Sequence, residues 1–204
     1  MHIQQFVLAS ESPRRKNLLE EAGFQITVFP VKVSESLEKN LTVQEQIRSI
    51  SRRKFAAAHA AWNQTKGGPA LLLTADTMVV HNGQALGKPE DFSDAVETLL
   101  RLSGDAHQVM TAVTLGLSSS SESFDEVVVT DVVFNPILRQ AAEEYVRTGE
   151  PMDKAGSYGI QGLGGKFVQK VVGPFDNVVG LPVSTVAKIC AEQGWQLPRL
   201  PDRR

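Results

Sequence analysis

The chain has 204 residues, 42% hydrophobic and 22% charged, with a formal net charge of -2. That length can bury a substantial core, and the near-neutral charge excludes a generally basic surface for nucleic acid or anionic membrane. The single cysteine, Cys190, excludes an internal disulfide and a cysteine-built metal cluster. In chain order, Ile3 to Leu8 reads as a short strand, and Leu18, Leu19 and Ala22 recur at helical spacing until Gly23. Between them Ser12 reads as the helix N-cap and Pro13 as its first residue, where a missing N–H costs nothing. Arg14 and Arg15 then stand against the helix dipole, a disadvantage that an anion bound between them would offset.

Thr42-Val43-Gln44-Glu45 is a capping box opening a helix to about Asn63. At about 100° per residue, Ile47, Ile50, Ala57, Ala58 and Ala61 form an apolar stripe with Lys54 in its middle, while Arg52 and Arg53 point elsewhere. Leu71 to Val80 reads as a buried strand turned by Asn82-Gly83. Pro89 to Leu102 is an amphipathic helix through Phe92, Ala95, Val96, Leu99 and Leu100, stopped by Gly104. Alternation from Val109 to Leu115 and from Val127 to Phe134 predicts two strands joined at the turn Ser118 to Ser121. Asn135-Pro136 is expected to cap a helix to about Thr148. A glycine-rich loop, Gly156 to Gly165, leads into a strand, Phe167 to Val172, and a last helix starts near Pro182. The order β-α-α-β-β-α-β-β-α-β-α predicts an α/β domain with a mixed sheet. The glycine loop precedes a strand and lacks dinucleotide-fingerprint spacing, so a Rossmann reading fails. Cys190, beside Val186 and Ile189, reads as a small core residue. No basic segment leads into a long apolar run at the N-terminus, so neither signal peptide nor membrane span is expected, and the expected location is the cytoplasm.

Polar residues in apolar surroundings mark the candidate chemistry. Asp76 and Thr77 interrupt the apolar strand, and a buried carboxylate must be paired, hydrogen-bonded or metal-bound. Such a group can activate water or hold a divalent cation. Lys54 either snorkels past the core or meets an anion beside its stripe. Lys88, in Gly87-Lys88-Pro89, adds a positive charge in a turn, and Glu35 lies in the acidic stretch Ser34 to Glu38. Gln161 carries an amide able to donate and accept at a nucleobase edge, and its flanking glycines would let a ligand approach the backbone. The four histidines have no metal-ligand spacing. Arginines at a helix N-terminus, further lysines and one or two carboxylates together suit a polyphosphate, a divalent metal and an attacking water.

Leu8 to Arg15, Ala75-Asp76-Thr77, Gly87-Lys88-Pro89, Leu102-Ser103-Gly104, Glu150 through Gly162, and Val178-Val179-Gly180-Leu181-Pro182 stand in one order along the chain. In these blocks the sequence resembles the Maf family of nucleoside triphosphate pyrophosphatases, first associated with septum formation. The resemblance implies one domain over residues 1–204: two lobes on a mixed β-sheet with flanking helices and a central cleft, as in inosine triphosphatases. It implies hydrolysis of a nucleoside triphosphate to monophosphate and pyrophosphate with Mg²⁺ or Mn²⁺. Asp76, Lys54 and Glu35 would be catalytic, with Asp76 and Glu35 as metal ligands. Ser10, Arg14, Arg15 and Lys88 would bind substrate. Arg14, Thr77 and Gln161 match the pyrimidine-preferring group acting on dTTP and UTP, whereas the 7-methyl-GTP group carries Trp, Gln and Glu there. Departures at Asn135-Pro136-Ile137 and Gly173-Pro174-Phe175 miss the proposed chemistry. The expected partner is a small nucleotide, with no membrane or nucleic acid, and a homodimer is a candidate assembly. The alternative from another class is a nucleotide- or nucleic-acid-binding regulator of cell division, disfavoured by the absence of a basic stripe with interleaved aromatics.

Overall fold

The protein is described from a computed structural model over residues 1–38 and 40–201. The chain divides into two compact units, one of Met1–Asp76, Ala112–Val128 and the chain from Gly180, the other of Thr77–Thr111 and Val129–Val179. The strands are β1 (Phe6–Leu8), β2 (Thr27–Val28), β3 (Leu71–His81), β4 (Gln84–Leu86), β5 (Ala106–Leu117), β6 (Phe124–Phe134) and β7 (Val168–Val172). The α-helices are α1 (Pro13–Glu21), α2 (Val43–Trp62), α3 (Phe92–Leu102), α4 (Arg139–Val146), α5 (Phe175–Val179) and α6 (Val183–Glu192). The strands form a mixed sheet in the order β2-β1-β3-β5-β6-β7, with β4 paired to β3. β1 runs parallel to β2 and β3, while β4 is antiparallel to β3 and β7 to β6.

In the first unit β3 is apolar on both sides because both sides are covered. Leu71, Leu73 and Ala75 join Leu19 of α1 and Val186, Ile189 and Cys190 of α6 in one core cluster. Leu72 faces the other way, with Val7 and with Phe55 and Trp62 of α2. A strand buried on two faces reads as a continuous hydrophobic run, as Leu71 to Val80 does. Cys190 is buried, and burial pushes its thiol up to about 11, so it packs as a small hydrophobe.

The α2 stripe differs from its predicted composition. The buried residues are Ile47, Ile50, Ser51, Phe55, Ala58 and Trp62, a set also spaced at three and four residues. Two large aromatics set the packing, and the small Ala57 and Ala61 flank them. The capping box stands as expected, with Thr42 N–H donating to Glu45 Oε2 (2.8 Å) and Glu45 N–H to Thr42 Oγ1 (3.3 Å).

The second unit packs α3, α4 and the inner residues of β5 and β6 around Leu99, Leu102, Val132, Phe134 and Tyr145. Three details depart from expectation. Helix α3 begins at Phe92 rather than Pro89, because Asp91 is the N-cap and accepts from Asp94 N–H at 2.8 Å. Asn135-Pro136 caps nothing. Asn135 N–H donates to Phe167 O (2.8 Å) and Ile137 N–H to Ser103 Oγ (2.6 Å), so the chain stays tied to neighbouring segments until α4 starts at Arg139 behind an uncapped Leu138. The glycine-rich segment contains 3-10 turns at Ala155–Ser157 and Leu163–Phe167. Strand β2 and helix α5, of two and five residues, are additions to the predicted order, too short to leave a periodic signal.

His107 of the second unit is 2% exposed, with Nε2 2.8 Å from the Tyr158 hydroxyl and its ring edge-on to Phe134. Burial lowers its pKa to about 4. The folded state therefore binds fewer protons than the unfolded state between about pH 4 and 6.5, so the stability is present above the unfolded pKa and lost as pH falls. Denaturant unfolding is expected to show about 2 kcal/mol lost to this one group between pH 7 and pH 5. His107→Gln should flatten that part of the profile, and an unchanged slope in the variant would assign the loss elsewhere.

Candidate active site

The first unit builds a charged constellation from two loops, a strand and two helices. Ser12 caps α1, its Oγ accepting from Arg15 N–H at 3.5 Å, and no acidic residue occupies the first turn. Ser10 Oγ accepts from Ser12 N–H and from Arg15 Nη1, each at 3.2 Å. Arg15 Nε donates to the carbonyl of Gly180 at 2.8 Å, fixing the guanidinium from a third segment. Burial lowers the Arg15 pKa and the neighbouring Arg14 lowers it further, while Asp76 and Glu35 act the other way. The helix start thus carries two adjacent cations within the field of two carboxylates.

Asp76 sits beside Lys54 because a helix and a strand meet in register. Thr74 and Asp76 point to the same face of β3, the face of Leu72, and Ser51 and Lys54 lie three residues apart on one face of α2. Thr74 Oγ1 donates to Ser51 O (2.9 Å), and the Ser51 hydroxyl meets Thr114 Oγ1 at 2.8 Å. One step further along both elements, Lys54 Nζ reaches Asp76 Oδ1 at 2.6 Å. The polar seam around Ser51 replaces apolar packing with directional bonds, which fixes how far α2 slides along β3.

Glu35 reaches the same ammonium, with Oε1 2.6 Å from Lys54 Nζ. It comes from an irregular stretch that Arg53 pins from both sides, donating from Nη1 to Ser34 O (2.8 Å) and from Nη2 to Ser36 O (3.0 Å). Glu35 stays 58% exposed by side chain, whereas Lys54 and Asp76 are each 13% exposed. Burial pushes the Asp76 carboxyl up, and Glu35 adds to this. Lys54 and Arg15 draw it back without cancelling the shift. Such a carboxylate is a stronger base than an exposed one, and it feels the charge of two cations.

Ser10, Arg14, Arg15, Lys54, Asp76 and Glu35 therefore belong to one unit. Thr77, Lys88 and Gln161 belong to the second. There Thr77 Oγ1 meets Thr111 Oγ1 at 3.0 Å, Lys88 and Gln161 are exposed, and Gly156 N–H donates to Gly87 O at 3.1 Å. Sequence reasoning missed Arg53 and the Gly180 carbonyl. Arg53 left no signal, since a surface arginine on a helix is ordinary. Gly180 could have been found as the glycine of its own motif, with φ of +125° favouring that residue.

Hard carboxylate oxygens suit a divalent cation, but Asp76 Oδ1 and Glu35 Oε1 converge on the Lys54 ammonium. A Mg²⁺ held by the two carboxylates would be completed by oxygens of water and substrate phosphate. Among the described residues no group of three or more His, Cys, Asp or Glu could hold a metal, so Asp76 and Glu35 would need those further oxygens. No helix among the described residues is long and apolar enough to cross a membrane.

Residues 5–193 match the family model described as Maf-like protein. Curated relatives named dTTP/UTP pyrophosphatase include three that align with most of the chain. The protein of Bdellovibrio bacteriovorus is 49% identical over 186 residues, covering 91% of this chain and 97% of the relative. That of Aliivibrio fischeri is 44% identical, covering 88% and 93%, and that of Bacillus pumilus is 40% identical, covering 92% and 95%.

Proposed function

The chain belongs to the Maf family, and from that premise we propose that it hydrolyses dTTP and UTP to the nucleoside monophosphate and pyrophosphate. The observation that carries this reading is the Asp76–Lys54–Glu35 group, two carboxylates meeting one ammonium at 2.6 Å each in the unit that holds Arg15 and Ser10. Phosphoryl transfer asks chiefly for positioning and charge stabilisation, which this set supplies.

Arg14, Arg15 and the N-terminus of α1 hold phosphate oxygens, and Lys54 neutralises charge that builds on the leaving pyrophosphate. Asp76, its basicity raised by burial, orients and deprotonates the water that attacks the α-phosphorus. Asp76 and Glu35 would hold Mg²⁺ or Mn²⁺, which when bound neutralises phosphate charge as a Lewis acid. Ser10 fixes Arg15. Lys88 adds a cation for the phosphates. Arg14, Thr77 and Gln161 carry the base preference, with the Gln161 amide matching the alternating acceptor and donor edge of uracil and thymine.

Product identity tests the bond that breaks. Phosphorus NMR of a UTP reaction is expected to show UMP and pyrophosphate growing together. UDP with inorganic phosphate would instead place the break at the β–γ anhydride and overturn the assignment.

A further inference from the structure

We propose that Glu150, with Tyr145, is the positioning residue that fixes the loop presenting Gln161 and thereby sets discrimination between pyrimidine bases. This rests on the role given to Gln161 above.

Glu150 opens a 3-10 turn (Glu150–Asp153) well before the loop, yet its carboxylate sits inside it. Oε1 accepts from the Tyr145 hydroxyl (2.8 Å) and from Gly164 N–H (3.1 Å), and Oε2 accepts from Leu163 N–H (2.9 Å). The Tyr145 oxygen in turn accepts from Gly159 N–H at 3.1 Å. Both arms of the segment 159–164 are therefore fastened to one carboxylate–phenol pair. Tyr145 is itself fixed, being 1% exposed and edge-on to Phe167 at 5.3 Å. Lys154 Nζ holds the Glu150 carbonyl at 2.5 Å. Between the fastened points Ile160 packs on the core, while Gln161 is exposed.

The glycines take a different meaning from the one the sequence suggested. A Cβ on Gly162 would lie 2.5 Å from both Glu150 oxygens, and one on Gly164 would lie 2.6 Å from the Tyr145 oxygen. The space that a ligand was expected to use at Gly162 is filled by the anchor. Only a carboxylate suits that anchor, because it offers acceptors alone. A glutamine would turn an NH₂ group toward one of the backbone N–H donors. Burial raises the Glu150 pKa, but the Leu163, Tyr145 and Gly164 donors more than offset this, and the carboxyl stays below its ordinary range.

The test compares wild-type protein with Glu150→Gln and Tyr145→Phe, assaying kcat and KM with UTP and CTP alongside amide exchange at Gly159, Leu163 and Gly164. Both variants are expected to fold, with faster exchange at Leu163 and Gly164 in Glu150→Gln and at Gly159 in Tyr145→Phe. The UTP-to-CTP ratio of kcat/KM should fall about tenfold in Glu150→Gln and less in Tyr145→Phe, through KM more than kcat. Faster exchange with an unchanged ratio would overturn the proposal by showing an anchor of purely structural consequence, and unchanged exchange would overturn the anchor itself. Should Glu150→Gln not fold, Tyr145→Phe decides alone, since Phe keeps the ring packing. Wild-type protein inert toward both UTP and dTTP would overturn the functional reading first, and the base-discriminating role of Glu150 with it, before any variant is compared.

Discussion

Asp76→Asn is expected to lower kcat for UTP by about 10³-fold, the scale of a lost general base, while leaving the fold intact. The isosteric amide keeps the shape of a side chain on a strand whose neighbours are buried, and the Thr74–Ser51 bond that docks α2 does not involve it. Stability should move the other way from activity. Burial raises the folded-state pKa of Asp76 above its unfolded value. The corresponding stability is therefore present below the unfolded pKa and lost as pH rises through the folded one. At neutral pH the ionised carboxylate burdens the fold, and a neutral amide relieves that burden. The variant should melt at or above the wild-type temperature at pH 7. Near-normal turnover, or a sharp fall in melting temperature, would contradict this account of Asp76.

Lys54→Met is expected to lower kcat/KM about 10²-fold, comparable with removing one charge-stabilising donor from an active site. It leaves Asp76 and Glu35 without the ammonium that meets both at 2.6 Å. Removing one partner of a fully buried ion pair costs about 3–5 kcal/mol. The loss here should be smaller, since Glu35 is largely exposed and Asp76 can take up a proton. That proton uptake gives a second readout. Burial already raises the Asp76 pKa, and Lys54 is foremost among the groups holding it down. The acid limb of the kcat/KM profile should therefore move to higher pH in Lys54→Met. An unmoved limb would mean that the titrating group is not Asp76.

What the sequence made legible is what depends on neighbours in the chain. The Ser12 cap with Pro13, the Thr42–Glu45 box and the Asn82-Gly83 turn, with φ of +49° and +75°, are local and stand as read. Asp76 was legible as well, because a charge within an apolar strand conflicts with its surroundings. Lys54 was legible as an anomaly, but its meaning depended on α2 docking in register with β3. Glu35 was nearly silent by itself. Its place follows from Arg53 gripping the carbonyls of Ser34 and Ser36, a contact between an irregular stretch and a helix that no periodicity encodes. The glycines around Gln161 announced a close approach without saying of what. The answer, Glu150, lies more than ten residues earlier. Asn135-Pro136 misled because a good capping pair was claimed by bonds to Phe167 and Ser103 in neighbouring segments.

The most direct measurement is pyrophosphate release from dTTP, UTP, CTP, GTP and 7-methyl-GTP with Mg²⁺, with Mn²⁺ and with chelator. Metal-dependent release from dTTP and UTP, well above the rest, is the predicted result. Preference for 7-methyl-GTP would contradict the assignment of Arg14, Thr77 and Gln161. Silence across the panel would contradict the hydrolase itself.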